Sequence, residues 1–113
     1  MAIGPGTYDM TIQRRSDHNI SMAFKDSGGS AINLNGYTLT SQVWDKERST
    51  KAADVTISYV SQAGGTFDWK LTDTQTATLT SNEYGYDILV TNPSGIKEYW
   101  LEGTIFMDEG YTA

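Results

Sequence analysis

The chain has no cysteine and only one histidine among its 113 residues. Without cysteine it has neither a disulfide framework nor a thiolate metal site, so its stability must come from packing and sheet hydrogen bonds. With a single histidine the chain cannot form a metal site from several imidazoles. A serine-histidine relay would have to use this one imidazole, with no second one to spare. The class of small disulfide-rich secreted domains is therefore excluded.

Long apolar runs and positive charge are also scarce. No apolar stretch approaches the roughly 20 residues that a membrane-spanning helix needs, and residues 1–7 have neither the charged region nor the apolar run of a signal peptide. The formal net charge of −6, from 14 acidic and 8 basic residues, gives a surface that repels phosphate backbones and anionic lipid headgroups. We therefore expect a protein in the soluble phase, with neither nucleic acid nor membrane as a partner.

The length of the chain permits one core of two layers but not a second independent core. Alternation of apolar and polar residues runs from residue 7 to residue 107, so this range is predicted to form a single β-domain. Residues 1–6 precede it as an arm that contains glycine and proline, and residues 108–113 follow it as a tail. Both ends are candidates for contact with another molecule.

Several short segments alternate with a period of two, which predicts half-buried strands. Tyr8, Met10 and Ile12 share one face of a first strand predicted over residues 7–15, and residues 26–30 supply a glycine turn after the second strand. The apolar residues of the further strands are Ile20, Met22 and Phe24; Leu39 and Val43; Val55, Ile57 and Tyr59; Phe67, Trp69 and Leu71; Tyr86, Ile88 and Val90; Tyr99, Leu101, Ile105 and Met107. This pattern predicts an all-β fold, an immunoglobulin-like antiparallel β-sandwich of about seven strands.

Residues 72–83 interrupt the alternation between the fifth and sixth predicted strands. They are too rich in threonine for a durable helix, although Thr72 or Asp73 can cap a single turn. We expect Leu79 to enter the core after that turn. The segment is therefore interpreted as a crossover between the two sheets.

The search for catalytic groups yields only carboxylates that are close in sequence. The closest groupings are Asp45 with Glu47, Glu98 with Glu102, and Asp108 with Glu109. Glycosidic chemistry needs two carboxyls facing each other across roughly 5–9 Å in a cleft, whereas isolated charged residues are usually solvated. His18 lies in a polar segment and is interpreted as a solvated loop residue. We expect a protein that is not an enzyme, with no cofactor and no metal.

The tryptophans are the most informative large side chains. Trp69 lies in phase with Phe67 and Leu71 and is predicted to be buried, while Trp44 and Trp100 have the opposite parity and are predicted to be exposed. Exposed aromatic residues on a sheet mark either a ligand platform or a protein interface. We favour the protein interface and keep a carbohydrate platform as the alternative.

The arm and the tail complete the set of predicted interface residues. In the arm, Ile3 and Pro5 can insert into a neighbouring molecule, and the glycines beside them let the backbone approach closely. The candidate interface residues are Ile3, Pro5, Trp44, Trp100 and Tyr111.

Several segments of the chain resemble small structural domains of tailed bacteriophages. They are residues 8–13 (YDMTIQ), 24–29 (FKDSGG), 32–37 (INLNGY), 41–45 (SQVWD), 86–95 (YDILVTNPSG) and 101–105 (LEGTI). The chain is similar to the immunoglobulin-like domain at the N-terminus of phage upper-baseplate proteins and in stand-alone tail-associated proteins. The similarity covers residues 7–107 and consists of strand and turn patterns without a catalytic signature.

Two positions depart from that family pattern. Such domains often carry a glycine after the first strand and a proline before the Asn-Leu pair, where this chain has Arg14-Arg15 and Ala31. The first loop is therefore expected to be reshaped. Many such domains are followed by fibre or binder domains, whereas this sequence ends at Ala113, so the expected role is that of an adaptor or connector.

The resemblance implies a bacteriophage virion structural protein in the tail or baseplate region. Such a protein is synthesised in the host cytoplasm, docks on other virion proteins, and is present in multiple copies in a symmetric assembly. A capsid decoration (cement) protein is the alternative within the same class, because it needs the same small and rigid sandwich. A carbohydrate-binding module that uses Trp44 and Trp100 is the alternative from another class.

Overall fold

The computed structural model describes residues 6–26 and 28–110. In this part of the chain the elements are β1 (Gly6–Thr7), β2 (Met10–Gln13), β3 (His18–Ala23), β4 (Thr38–Asp45), β5 (Lys51–Asp54), β6 (Thr56–Ser61), β7 (Thr66–Leu71), α1 (Asp73–Ala77), β8 (Glu83–Thr91) and β9 (Lys97–Asp108). Strands dominate, as the alternation predicted. No helix among the described residues is long and apolar enough to cross a bilayer.

The strands form two sheets that enclose one core. The large sheet has the order β1-β9-β8-β4-β5, with β2 also paired to β9, and the small sheet has the order β3-β7-β6. In immunoglobulin nomenclature the small sheet corresponds to strands B, E and D, and β5, β4, β8 and β9 correspond to C′, C, F and G. The hydroxyl oxygen of Tyr84, near the start of β8, accepts the Ser81 N–H at 2.9 Å, as in a tyrosine corner. The predicted immunoglobulin-like sandwich is confirmed.

The first predicted strand and the strand count differ in detail from the sequence prediction. The segment predicted as one strand forms β1 and β2, which are both parallel to β9 and are separated by Tyr8 and Asp9. In addition, β5 pairs with β4 although its sequence lacks the alternation of a half-buried strand. The described residues therefore contain nine strands instead of about seven, and two of the pairings are parallel.

The core is centred on Trp69, which is completely buried as predicted. Its indole N–H donates to the Ser41 Oγ at 2.9 Å, and the Ser41 hydroxyl donates to the backbone oxygen of Asp87 at 2.5 Å. The Trp69 ring also packs edge-on against Tyr86, with the ring centroids 5.3 Å apart. Because Ser41 lies on β4 and Asp87 on β8, these hydrogen bonds join β7 of the small sheet to two strands of the large sheet.

The crossover between β7 and β8 contains the single capped turn that the sequence predicted. The Thr72 Oγ1 accepts the Gln75 N–H at 3.2 Å, and the Gln75 side chain accepts the Thr72 N–H at 2.9 Å. This reciprocal pair is a capping box, which satisfies donors at the start of α1. Leu79 is fully buried just after the turn, so its predicted place in the core is confirmed.

Replacement of Trp69 by alanine should lower the free energy of unfolding by about 3–5 kcal/mol, because it removes the largest fully buried side chain and leaves a cavity. Trp69→Phe should cost less, since it keeps part of the ring packing and loses mainly the hydrogen bond to Ser41. Urea unfolding followed by circular dichroism measures both variants, with Val60→Ala at a 66% exposed position as the control. A Trp69→Ala loss no larger than that of the control would contradict this account of the core.

Candidate docking groove

Strand β3 forms an edge of the small sheet, since among the described strands it pairs with β7 alone. The Phe24 N–H donates to the Gly65 carbonyl at 3.0 Å. In an antiparallel ladder, successive residues direct their backbone groups to opposite sides. The N–H and C=O groups of Ser21 and Ala23 therefore point away from β7. This free edge of β3 can form hydrogen bonds with another extended chain.

An open groove of about 610 Å³ lies between the free edge of β3 and the β1–β9 edge of the large sheet. We call it the docking groove. Its apolar side chains are Ile20, Met22, Phe24, Ile32, Trp100 and Leu101. Tyr8, which is 46% exposed, also lines it, and Lys25 is the one charged residue in the described lining. The groove therefore presents an apolar surface beside unpaired backbone groups.

The turn after β3 brings Phe24 and Ile32 together in the docking groove. The Asp26 Oδ1 accepts the backbone N–H groups of Gly28 at 2.9 Å and of Ser30 at 3.0 Å. The Ile32 N–H then donates to the Phe24 carbonyl at 3.0 Å, which returns the chain alongside its start. The hydrogen bonds around Asp26 thus return the chain so that Phe24 and Ile32 both line the groove wall.

The opposite wall depends on a close approach of Tyr8 to β9. The Tyr86 hydroxyl donates to the Tyr8 carbonyl oxygen, and the Thr104 N–H donates to the Asp9 Oδ1 at 2.9 Å. A Cβ atom at Gly103 would overlap the Tyr8 carbonyl, so this contact requires glycine. Burial is the main cause that raises the pKa of Tyr86, which keeps its hydroxyl protonated as the donor.

Trp100 lies in the docking groove because β9 has a bulge at this position. Ile88 pairs with Leu101 and Leu89 with Tyr99, so Trp100 pairs with no residue of β8. The extra residue shifts the phase of the strand, which leaves Trp100 half-buried and Tyr99 47% exposed. The prediction of an exposed Trp100 and an inward Tyr99 was wrong, because a strict period of two cannot represent a bulge.

The Trp100 ring packs against other aromatic side chains, while its indole Nε1 has no hydrogen-bond partner among the described residues. The ring meets Phe24 edge-on at 5.2 Å and Tyr37 at 5.9 Å between centroids. Its Nε1 is buried and has no hydrogen-bond acceptor among the described residues. A buried donor without an acceptor costs about 1–3 kcal/mol.

Trp44 lies elsewhere, on the outer face of β4, where it is half-buried instead of exposed as predicted. Its Nε1 donates to the Gln42 Oε1 at 3.0 Å, and its ring borders a separate cavity of about 200 Å³ together with Asp87 and Glu102. Burial raises the pKa of Asp87, with a smaller contribution from Glu102. Since Trp44 and Trp100 line different cavities, the structure does not bring them together as one aromatic platform.

The other residues singled out in the sequence have different outcomes. Ile3, Pro5 and Tyr111 lie outside the described residues. His18 is half-buried in β3, with its ring edge-on to Trp69 at 5.9 Å, and its buried Nε2 has no hydrogen-bond partner among residues 6–26 and 28–110. Burial lowers the pKa of His18. Its interpretation as a solvated loop residue was therefore wrong.

Two of the carboxylates singled out in the sequence, Asp45 and Glu109, have structural partners. Asp45 accepts hydrogen bonds from the Ser49 hydroxyl and from backbone N–H groups, which lower its pKa. Glu109 forms ion pairs with Arg15 and Arg14, whose hydrogen bonds and charges lower the pKa of its carboxyl. Within residues 6–26 and 28–110, no cluster of three or more potential metal ligands is present.

Comparison of the chain with models of known protein families and with curated protein sequences gives no match in either case. The site is therefore interpreted from its own geometry. That geometry defines an apolar docking groove bounded by an unpaired strand edge, the kind of surface to which an extended polypeptide can bind.

Trp100→Ala should lower the free energy of unfolding by about 2 kcal/mol, because the half-buried ring loses its packing against Phe24 and Tyr37. Tyr99→Ala, at the neighbouring exposed position, should cost clearly less. Both losses can be measured by urea unfolding. The opposite order would contradict the bulge and return Trp100 to the exposed face that strict alternation predicted.

Proposed function

We propose that this chain is a non-enzymatic structural protein of a bacteriophage virion, an adaptor or connector of the tail or baseplate. In this role it docks on a symmetric assembly, and the docking groove is its attachment site. The observation that carries the proposal is the open apolar groove beside the free edge of β3. Such edges and apolar surfaces are usually covered by a protein partner or protected in some other way.

The chemistry of the docking groove supports a polypeptide occupant. Ile20, Met22 and Phe24 offer apolar surface, and the backbone of β3 offers unpaired donors and acceptors. An added strand satisfies both at once, because its main chain pairs with the edge while its alternate side chains enter the groove. Sugar rings stack on aromatic side chains, but they do not supply the regular row of N–H and C=O groups that pairs with a strand edge.

The similarity of the strand and turn segments to phage immunoglobulin-like domains supports the virion setting. The fold supports a passive docking role as well, because the hydrogen bonds from Trp69 through Ser41 to Asp87 fix the two sheets to each other. A sandwich joined in this way can present a groove edge without internal rearrangement. The proposed protein is therefore a rigid scaffold that carries the docking groove as its binding surface.

Mass spectrometry of purified particles of the phage that encodes the chain tests this function. We expect peptides of the chain in the particle, in a copy number that matches tail proteins. A copy number near that of the major capsid protein would contradict the tail location and favour a decoration protein. Absence of the chain from purified particles would contradict the virion role altogether.

Incorporation of groove variants into particles tests whether the docking groove is the attachment site. Met22→Lys places a charge in the groove and should reduce incorporation into particles, while Val60→Lys at the opposite edge of the small sheet should incorporate normally. Circular dichroism melting of both purified variants controls for folding. Normal incorporation of a folded Met22→Lys protein would contradict the groove as the attachment site.

A further inference from the structure

We infer that the docking groove binds residues 1–5 of a second copy of this chain, added as an extended strand along the free edge of β3. This inference deepens the proposed function, because it identifies the partner at the groove. It is tested on purified protein, so its outcome is separate from that of the virion experiment.

The outward backbone groups of β3 can pair with the backbone of an added strand. The N–H and C=O groups of Ser21 and Ala23 point out from β3 into the space that an additional strand would occupy. An extended segment supplies alternating carbonyl and N–H groups to such an edge.

The composition of residues 1–5 matches the apolar lining. The segment Met-Ala-Ile-Gly-Pro carries no charged side chain. In an extended strand Met1, Ile3 and Pro5 would share one side, because side chains alternate between the two faces. Proline is accepted in a strand at a sheet edge. One side of the segment is thus apolar, and the other side carries only Ala2 and Gly4.

The length of the segment is also suitable. Five extended residues span about 16 Å, which is close to the roughly 20 Å of a six-residue strand such as β3. Residues 1–5 can therefore follow most of the free edge. A shorter segment would leave part of the apolar lining uncovered.

The alternation of side chains in β1 favours residues 1–5 of a second copy, over residues 1–5 of the same chain, as the occupant of the docking groove. A Cβ atom at Gly6 would lie 3.7 Å from the Leu101 side chain, so Gly6 faces the docking groove. If β1 continued upstream in the same phase, Pro5 and Ile3 would face away from the groove. The same segment from a second copy is not constrained by this register and can turn its apolar side inward.

Self-association of the full-length chain provides the first test. Sedimentation velocity should show that the wild-type protein associates as its concentration rises. Ile3→Asp should raise the dissociation constant about a hundredfold or more, because it would bury a carboxylate among apolar side chains. Val60→Asp is the matched control, since it makes the same chemical change at the other edge of the small sheet, and it should associate like the wild type.

Disulfide trapping distinguishes the second copy from the same chain. Because the natural sequence has no cysteine, an Ile3→Cys protein and a size-tagged Met22→Cys protein can be mixed and oxidised. We expect a mixed disulfide dimer, and much less of it when Val60→Cys replaces Met22→Cys. In the double variant with both cysteines, a purely intramolecular disulfide would overturn the inference.

The remaining outcomes also decide the inference. A wild-type chain that stays monomeric at the highest attainable concentration overturns it, as does an Ile3→Asp protein that associates like the wild type. Either result would leave the virion proposal standing, because a different virion protein would then be the partner at the docking groove. Association that is lost only in the Ile3→Asp and groove variants supports it.

Discussion

The close contact between the Tyr8 carbonyl and Gly103 determines where the first strand of this sandwich lies. Only glycine leaves room for that carbonyl at β9, and the Tyr86 hydroxyl donates a hydrogen bond to it from the neighbouring strand. The contact holds β1 and β2 against β9 in the large sheet. As a consequence β3 pairs with β7 alone among the described strands, and the docking groove opens between the two sheets.

The sandwich can keep this open side because other contacts hold the two sheets together. Trp69 connects the sheets at the centre through its hydrogen bond to Ser41. Beyond β2, the Arg14 Nε donates to the Leu79 carbonyl at 2.7 Å, and its guanidinium also pairs with Glu109. These contacts tie the segment after β2 to the crossover and to the end of β9. The groove therefore opens at one side of the sandwich without separating the two sheets.

Much of this fold could be predicted from the sequence because burial of one sheet face imposes a period of two. That period located most strands and the buried Trp69, and the polar glycine turn and the capped turn at Thr72 were also recognisable. It could not reveal β5, whose Lys-Ala-Ala-Asp sequence lacks alternation and which forms by pairing with β4. It also missed the burial of His18, since a polar neighbourhood in sequence does not show which face of a strand a residue occupies.

The candidate site was predicted less completely than the fold, for two physical reasons. Alternation does not specify which strand pairs with which, so the parallel placement of β1 and β2 and the free edge of β3 could not be foreseen. A bulge changes the side-chain phase within a strand, so Trp100 was assigned to the wrong surface. The docking groove arises from these two features together.

The most direct test of this account compares two glycines on neighbouring strands. Gly103→Ala should lower the free energy of unfolding by about 3 kcal/mol, because the added Cβ would displace the Tyr8 carbonyl. Gly85→Ala should change it by about 1 kcal/mol or less, since nothing lies within 4 Å of an added Cβ there. Urea unfolding of both variants gives the two values. Equal effects at Gly103 and Gly85 would contradict the placement of the first strand against β9.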